Sequence, residues 1–527
     1  MLACHTILDN CLKNKMMSAK KYIRKNIYRW HRVTSLIAAV PILLWSLSGF
    51  LYPVMNSFKP EVRNQVLPVN SIDTNKIHIP LQQALQQNDI SVLHNFRIIK
   101  SDTNYYYQIQ QINSDTLTYL SCADGSLLRN GDRLYASYLA QRYLSEPIAK
   151  SKSKSPGHQM SMAVGSLAVM LSEKKSYQKA KVTGVELIKK FNGEYKSSNA
   201  LLPVYKVNFD RSDGIRLYIE TSTDRLATAI DNKKAWFINF FGITHSWTFL
   251  NGLGQIKNVT IGAFSLLCFI TSVLGFYVYN IINKKKATSS GKSWHRTLGN
   301  VFVLTTALYG ISGAWHAFHK LSDKPGKEIA ADRSQFSSDE INFPFSDFTR
   351  FIKFKENLIN VSIVKMNAEN YWQLSLSNGK EKFKRYISTK TFEELRDGDN
   401  KYGCYLACQF SGRANHAITH SKCLNQFTNS YSMMNKRLPV IEVDFDAGDN
   451  YYIETSTGYL SAVTNSHDAM ERFSFSNLHM HHYWEHWLGD TGKSIQKIIF
   501  IATTLGLLLL ALTGCWIYWR KRQKTLK

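Results

Sequence analysis

Four long uncharged windows interrupt an otherwise polar chain: Val33–Phe58, Asn258–Asn283, Thr297–His319 and Ile498–Trp519. A helix needs about 20 residues to cross the hydrocarbon core of a bilayer, and each window is long enough. Pro41 and several glycines break the apolar runs, which membrane helices tolerate because neighbouring helices re-satisfy the backbone. The pattern predicts membrane helices at 33–56, 257–282, 297–319 and 497–519. Between them lie short runs rich in β-branched and aromatic residues, bounded by turn residues. Tyr105–Ile112 and Leu117–Cys122 read as strands meeting at Asn113-Ser-Asp115. Val204–Phe209 with Arg216–Glu220, and Val440–Phe445 with Tyr451–Glu454, read as two further pairs. Leu81–Gln87 reads as a short helix and Lys150–Lys154 as a loop. Regions 57–256 and 320–496 are therefore expected to be α+β.

The two halves match in order. Trp30-His31-Arg32 and Trp294-His295-Arg296 each open an apolar run, with Ser48-Gly49 and Ser312-Gly313 standing 18 residues after the Trp. Asp132–Ala140 matches Asp399–Ala407, a Phe-to-Phe pattern begins at both Phe191 and Phe427, and Tyr218–Leu226 matches Tyr452–Leu460. His245-Ser-Trp247 and His482-Tyr-Trp484 each precede a span. The expected architecture is a parallel two-fold repeat, span–domain–span in each half, with its four helices in a bundle and an axis along the membrane normal.

Charge refines this picture. The chain has 527 residues and a formal charge of +26, but segments 1–32, 284–296 and 520–527 hold eight, five and five Lys/Arg against a single acid. A nucleic-acid surface would not be confined to span flanks, so no nucleic acid is expected. Under the positive-inside rule the N-terminal region 1–32, the loop 283–296 and the tail 520–527 are cytoplasmic, and both α+β regions lie outside. The N-terminal apolar run is long and has no small-residue cleavage site, so it reads as a retained anchor.

The Trp-His-Arg span, the Ser-Gly exit, the Tyr-Ile-Glu-Thr-Ser-Thr segment and the pre-span His-x-Trp together resemble PepSY-associated transmembrane proteins, over residues 25–520. The resemblance implies a bacterial inner-membrane protein with two PepSY-like periplasmic regions. It also implies the iron-regulated, ferric-siderophore reductase type, with b-type haem in a four-helix bundle.

Histidines are the residues to test against that expectation. Haem iron takes neutral imidazoles from facing helices, one ring nitrogen on the metal and the other fixed by a partner. His31 and His295 occupy matching positions and are expected to face one shared site; an interface anchor, with Trp in the aromatic belt and Arg on phosphate, fits the same motif. His245 and His482 form a second matching pair, with His316 as an extra ligand for one or two haems. His319, His481 and His486 are further candidates, and His479 reads as interface packing. Trp45 and Tyr309 lie mid-span. The remaining external histidines, His158 among them, carry no expected role.

Cys122, Cys404, Cys408 and Cys423 fall in the external regions. Cys404 and Cys408 share a helix face, and a disulfide with Cys423 is one option beside plain burial. The cytoplasmic segments contain no dinucleotide-binding glycine pattern, and no Gly-x-Ser-x-Gly or His-Glu-x-x-His motif is present. Electrons are therefore expected from membrane quinol or a cytoplasmic reductase, and the expected reaction is reduction of a ferric chelate (ferrisiderophore). Tyr105–Tyr107, Trp372 and Tyr483 are candidate cleft walls, although each such residue is more often core. Two rivals stand beside this reading: a non-enzymatic PepSY-type binding module of the envelope, and a metal-binding or transfer component without haem.

Overall fold

The computed structural model describes residues 2–60, 62–64, 66–68, 70–112, 114–145, 180–282, 290–322, 331–341, 348–379, 381–428 and 430–526. The expected loop Lys150–Lys154, His158, residue Asn113 of the expected turn and residues 283–289 of the loop 283–296 lie outside them. In chain order the helices are α1 (Leu2–Leu51), α2 (Leu81–Gln87), α3 (Gly131–Ser145), α4 (Asn232–Thr244), α5 (Gln255–Tyr277), α6 (Ser290–Ser322), α7 (Gly398–Ser411), α8 (Ser466–Ser474) and α9 (Tyr483–Leu526). The chain divides into two compact units. The first comprises Met1–Phe58, Trp236–Pro325 and His467–Lys527; the second comprises Lys59–Ala235 and Gly326–Ser466.

The first unit holds four helices long and apolar enough to cross a membrane, over Lys25–Met55, Gln255–Asn280, Ser290–Ser322 and Tyr483–Gln523. α1 packs on α5 and α9, and α6 packs on the same two. Between apolar helices in lipid, contact comes from small residues that let backbones approach. Gly310 of α6 lies so close to α5 that a Cβ there would sit 2.7 Å from the Phe269 backbone nitrogen. A Cβ on Gly49 of α1 would meet Thr504 of α9 at 2.9 Å, and one on Gly313 of α6 would meet Ser265 of α5 at 3.2 Å. Val301, Leu304 and Ile498 face outward, as lipid-facing residues do. α5 starts at Gly254 (φ 54°, ψ −127°), and α9 is kinked at Gly489 in the same conformation (φ 54°, ψ −126°). Such a positive φ costs glycine little.

The second unit is β-rich and antiparallel. Its strands are β1 (Val92–Ser101), β2 (Asn104–Gln111), β3 (Thr118–Ser121), β4 (Val182–Ile188), β5 (Val204–Phe209), β6 (Arg216–Glu220), β7 (Arg225–Ile230), β8 (Phe336–Ser337), β9 (Asn357–Met366), β10 (Glu369–Ser377), β11 (Lys382–Ser388), β12 (Ile418–Leu424), β13 (Val440–Phe445), β14 (Asn450–Glu454) and β15 (Tyr459–Thr464). They form four sheets, ordered β3-β2-β1-β8, β11-β10-β9, β4-β5-β6-β7 and β12-β13-β14-β15. α3 packs on the β4–β7 sheet and α7 on the β12–β15 sheet. β1 meets β9 through reciprocal bonds: the Ile98 N–H donates to Asn360 Oδ1 (3.0 Å), and the Ile363 N–H donates to Asn95 Oδ1 (3.4 Å).

Alternation along these strands puts their aromatics inside. Trp372, Tyr105 and Tyr107 are buried, with Phe96 and Phe348 edge-on to Trp372. They are core residues rather than cleft walls, the commoner of the two readings the sequence allowed, because period-two strands direct alternate side chains to the covered face. Cys122, Cys404, Cys408 and Cys423 are free thiols.

Candidate functional site

The Trp-His-Arg motifs lie on α1 and α6, and each histidine ring rests over a glycine of another span. A Cβ on Gly275 of α5 would come 3.0 Å from Cε1 of His31; one on Gly514 of α9 would come 3.2 Å from Cε1 of His295. The Nδ1–H of His295 donates to the Leu510 carbonyl at 3.2 Å. A carbonyl only accepts, so Nε2 keeps its lone pair. At His31, Nδ1 lies 3.4 Å from Ser35 Oγ, a hydroxyl that also bonds the His31 carbonyl, and the ring bonds the Thr271 backbone.

Near the other ends of α1 and α6 the two Ser-Gly pairs repeat this logic. Ser48 donates to the Leu44 carbonyl (3.0 Å) and lies 3.0 Å from His245 Nδ1. Ser312 donates to the Leu308 carbonyl (2.6 Å) and lies 3.2 Å from His479 Nδ1. In both pairs the serine hydroxyl engages Nδ1; where its hydrogen goes to the helix carbonyl, the ring donates to it and Nε2 is the free nitrogen. The two rings stand 6.4 Å apart at 82°. Two imidazoles on opposite sides of one metal, each about 2 Å from it, have centroids roughly 6 Å apart. Phe241 stacks on His245 at 4.6 Å and Phe475 on His479 at 5.1 Å. Trp45 Nε1 donates to the His245 carbonyl at 3.1 Å, fixing the turn after α4.

Desolvation pushes the His245 imidazole down to about 4, with the charge of His316 adding to it. Desolvation takes His479 to about 3, with His245 and His316 adding. Both are therefore neutral near neutral pH, the state a metal requires.

The geometry replaces the expected partner of His245. His479 occupies that place; His482 instead bonds Glu485 (3.2 Å) and Gln496 (3.3 Å) at the start of α9. His-x-Trp occurs before both spans, but the turn ahead of α9 is differently built, so that motif misaligns the halves. Phe-x-x-x-His, at Phe241/His245 and Phe475/His479, is the sequence pattern that coincides with the two serine contacts.

His316 and His319 are tied to α8: His316 Nδ1 pairs with Glu471 and packs on Phe475, and His319 lies 3.3 Å from Asp468. Burial raises the Glu471 carboxyl, but the bond from His316 and the charges of His316, His319 and Lys320 hold it below its usual range. His481 is buried and accepts or donates through Nε2 to the Tyr309 hydroxyl at 3.0 Å. His486 is exposed. Among the described residues no group of three or more His, Cys, Asp or Glu forms a metal cage. A bis-imidazole site needs only two.

Four apolar spans carrying a β-rich region define a multi-pass membrane protein with β-rich domains. The chain belongs to the PepSY-associated TM region family, whose model matches residues 28–522. No curated protein matches the chain.

Proposed function

We propose that the chain is an inner-membrane haem b electron-transfer protein that reduces a ferric chelate, such as a ferrisiderophore, on the periplasmic side. The carrying observation is that four histidines are engaged through the same ring nitrogen, Nδ1. His31, His295, His245 and His479 each have Nδ1 engaged by a serine hydroxyl or a main-chain carbonyl, which leaves Nε2 as the ligand nitrogen. His31 with His295 would hold one haem and His245 with His479 a second. Haem b, when bound, supplies one-electron transfer. Gly275 and Gly514 leave room at the rings of the first pair, and Phe241 and Phe475 keep water from the second. Membrane quinol or a cytoplasmic reductase would be the donor.

The parallel two-fold repeat belongs to the same reading. Its support is the matched contacts His31–Gly275 with His295–Gly514, Gly49–Thr504 with Gly313–Ser265, and Ser48–His245 with Ser312–His479. Under it the four spans form one bundle in a bacterial cytoplasmic membrane, termini inside and residues 57–256 and 320–496 outside.

The test is an optical spectrum of protein purified from haem-supplied cells. A Soret band is expected, halved in His479→Ala and unchanged in His482→Ala. Colourless wild-type protein ends the haem proposal. A band that survives in His479→Ala but halves in His482→Ala ends the ligand assignment alone.

A further inference from the structure

The second unit contains a cavity of about 170 Å³ that none of the chemistry above uses. At about 10–15 Å³ per water-sized group, it has room for roughly a dozen. The two Glu-Thr-Ser-Thr turns reach it through Ser222 and Ser456, and β1 and β9 reach it through Asn95 and Asn360. The Asn Oδ1 atoms are spent on the reciprocal bonds described above, which leaves both Nδ2 amides as donors. Gln110 completes the set; its side chain and those of Ser222 and Ser456 have no hydrogen-bond partner among the described residues.

The charged groups on the wall are already engaged, Arg97 and Asp115 in ion pairs and Asp132 by neutral donors. Arg97 grips Asp224 at 2.5 and 3.0 Å. Asp132 accepts from the Leu117 N–H (3.1 Å) and the Tyr119 hydroxyl (2.9 Å), and Asp115 pairs with Lys189 (2.6 Å). An anion entering would lose its hydration with no free cation to meet it. A neutral ligand with both N–H and C=O groups would satisfy amides and hydroxyls that now have no partner.

We propose that this cavity binds an uncharged secondary amide about the size of a capped dipeptide. The test uses the full-length protein in lipid nanodiscs and N-acetyl-alanyl-alanine amide, followed by saturation-transfer NMR and calorimetry. Saturable binding is expected, weakened about tenfold in the double variant Ser222→Ala/Ser456→Ala through two lost hydrogen bonds. Zwitterionic alanyl-alanine is expected not to bind. If the double variant melts below the wild type, Gln110→Leu provides the same comparison. Equal binding by wild type and a variant that melts normally overturns the proposal, as does equal binding of alanyl-alanine or no saturable binding by the wild type. Haem content is irrelevant to this readout, so the amide site and the redox reading fail separately.

Discussion

Glu220 and Glu454, the glutamates of the two Tyr-Ile-Glu-Thr-Ser-Thr segments, are held by one guanidinium. Arg437 Nη2 donates to Glu220 Oε1 at 2.7 Å, and Nη1 donates to Glu454 Oε2 at 2.6 Å. All three are essentially buried. Arg225 Nη1 lies 2.5 Å from Glu454 Oε1, an ion pair outside hydrogen-bond geometry. Two cations thus balance two carboxylates inside the second unit. The Arg437 guanidinium also stacks on Tyr459 at 4.7 Å.

Removing Arg437 leaves two carboxylates facing one cation in a dry interior. Breaking a buried pair from one side costs about 3–5 kcal/mol, mostly as the desolvation left uncompensated. Arg437→Leu, which introduces the residue found at the matching place in the first half (Leu201), is expected to destabilise the second unit by that amount. A protease-resistance or thermal melt of full-length protein checks it. A variant that melts like the wild type shows the network to be dispensable.

The same network sets an acid limit. Burial alone would push the Glu454 carboxyl up, but Arg225 and Arg437 override it and hold it down to about 2. A carboxyl depressed below its ordinary value near 4.5 contributes stability fully present above that value and lost as pH falls towards 2. Melting temperature is therefore expected to fall between about pH 4.5 and 2, and Glu454→Gln is expected to flatten that part of the profile. An unchanged slope in the variant assigns the acid loss to other carboxyls.

The glycines under His31 and His295 carry the third prediction. Gly275→Val and Gly514→Val each place a branched Cβ within contact of an imidazole ring. Each is expected to remove the haem signal of the His31–His295 site and to leave that of the His245–His479 site. Gly252→Ala, with nothing within 4 Å of its Cβ, is the control. Full occupancy of both sites in Gly275→Val and Gly514→Val would separate the glycines from haem binding.

The spans were legible because length and lack of charge suffice to mark a membrane helix, and the strand pairs at Val204–Glu220 and Val440–Glu454 because β-rich runs flank Asp- and Gly-containing turns. The partner of His245 was not, because two motifs compete there and only the bond from His479 to Ser312 selects between them. Nor was the ion network, because Arg225 and Arg437 do not occupy matching positions in the halves. The aromatics Tyr105, Tyr107 and Trp372 took the core place that the sequence left open beside a cleft wall, because the two kinds of ring look alike in a strand.

The sequence halves differ where Tyr309 meets His481. Trp45 and Tyr309 each stand 15 residues after the Trp of a Trp-His-Arg motif, and Trp247 and His481 each stand two residues after a serine-bound histidine. Trp45 stacks on Trp247 at 5.3 Å and 16°, whereas Tyr309 bonds His481 Nε2 at 3.0 Å. Both second members adopt left-handed backbone, φ 47° at Trp247 and 57° at His481. One half thus uses an apolar stack and the other a polar pair in the same frame. His481 is buried, and its Nδ1 has no partner among the described residues, so the tyrosine provides its one side-chain hydrogen bond. Tyr309→Phe leaves the imidazole wholly unpaired and is expected to cost about 1–3 kcal/mol. The double variant Tyr309→Trp/His481→Trp rebuilds the stack of the other half and is expected to melt above Tyr309→Phe. Thermal melts of haem-free protein separate this from ligand loss. If Tyr309→Phe melts like the wild type, packing at 5.3 Å rather than the hydrogen bond holds the pair together.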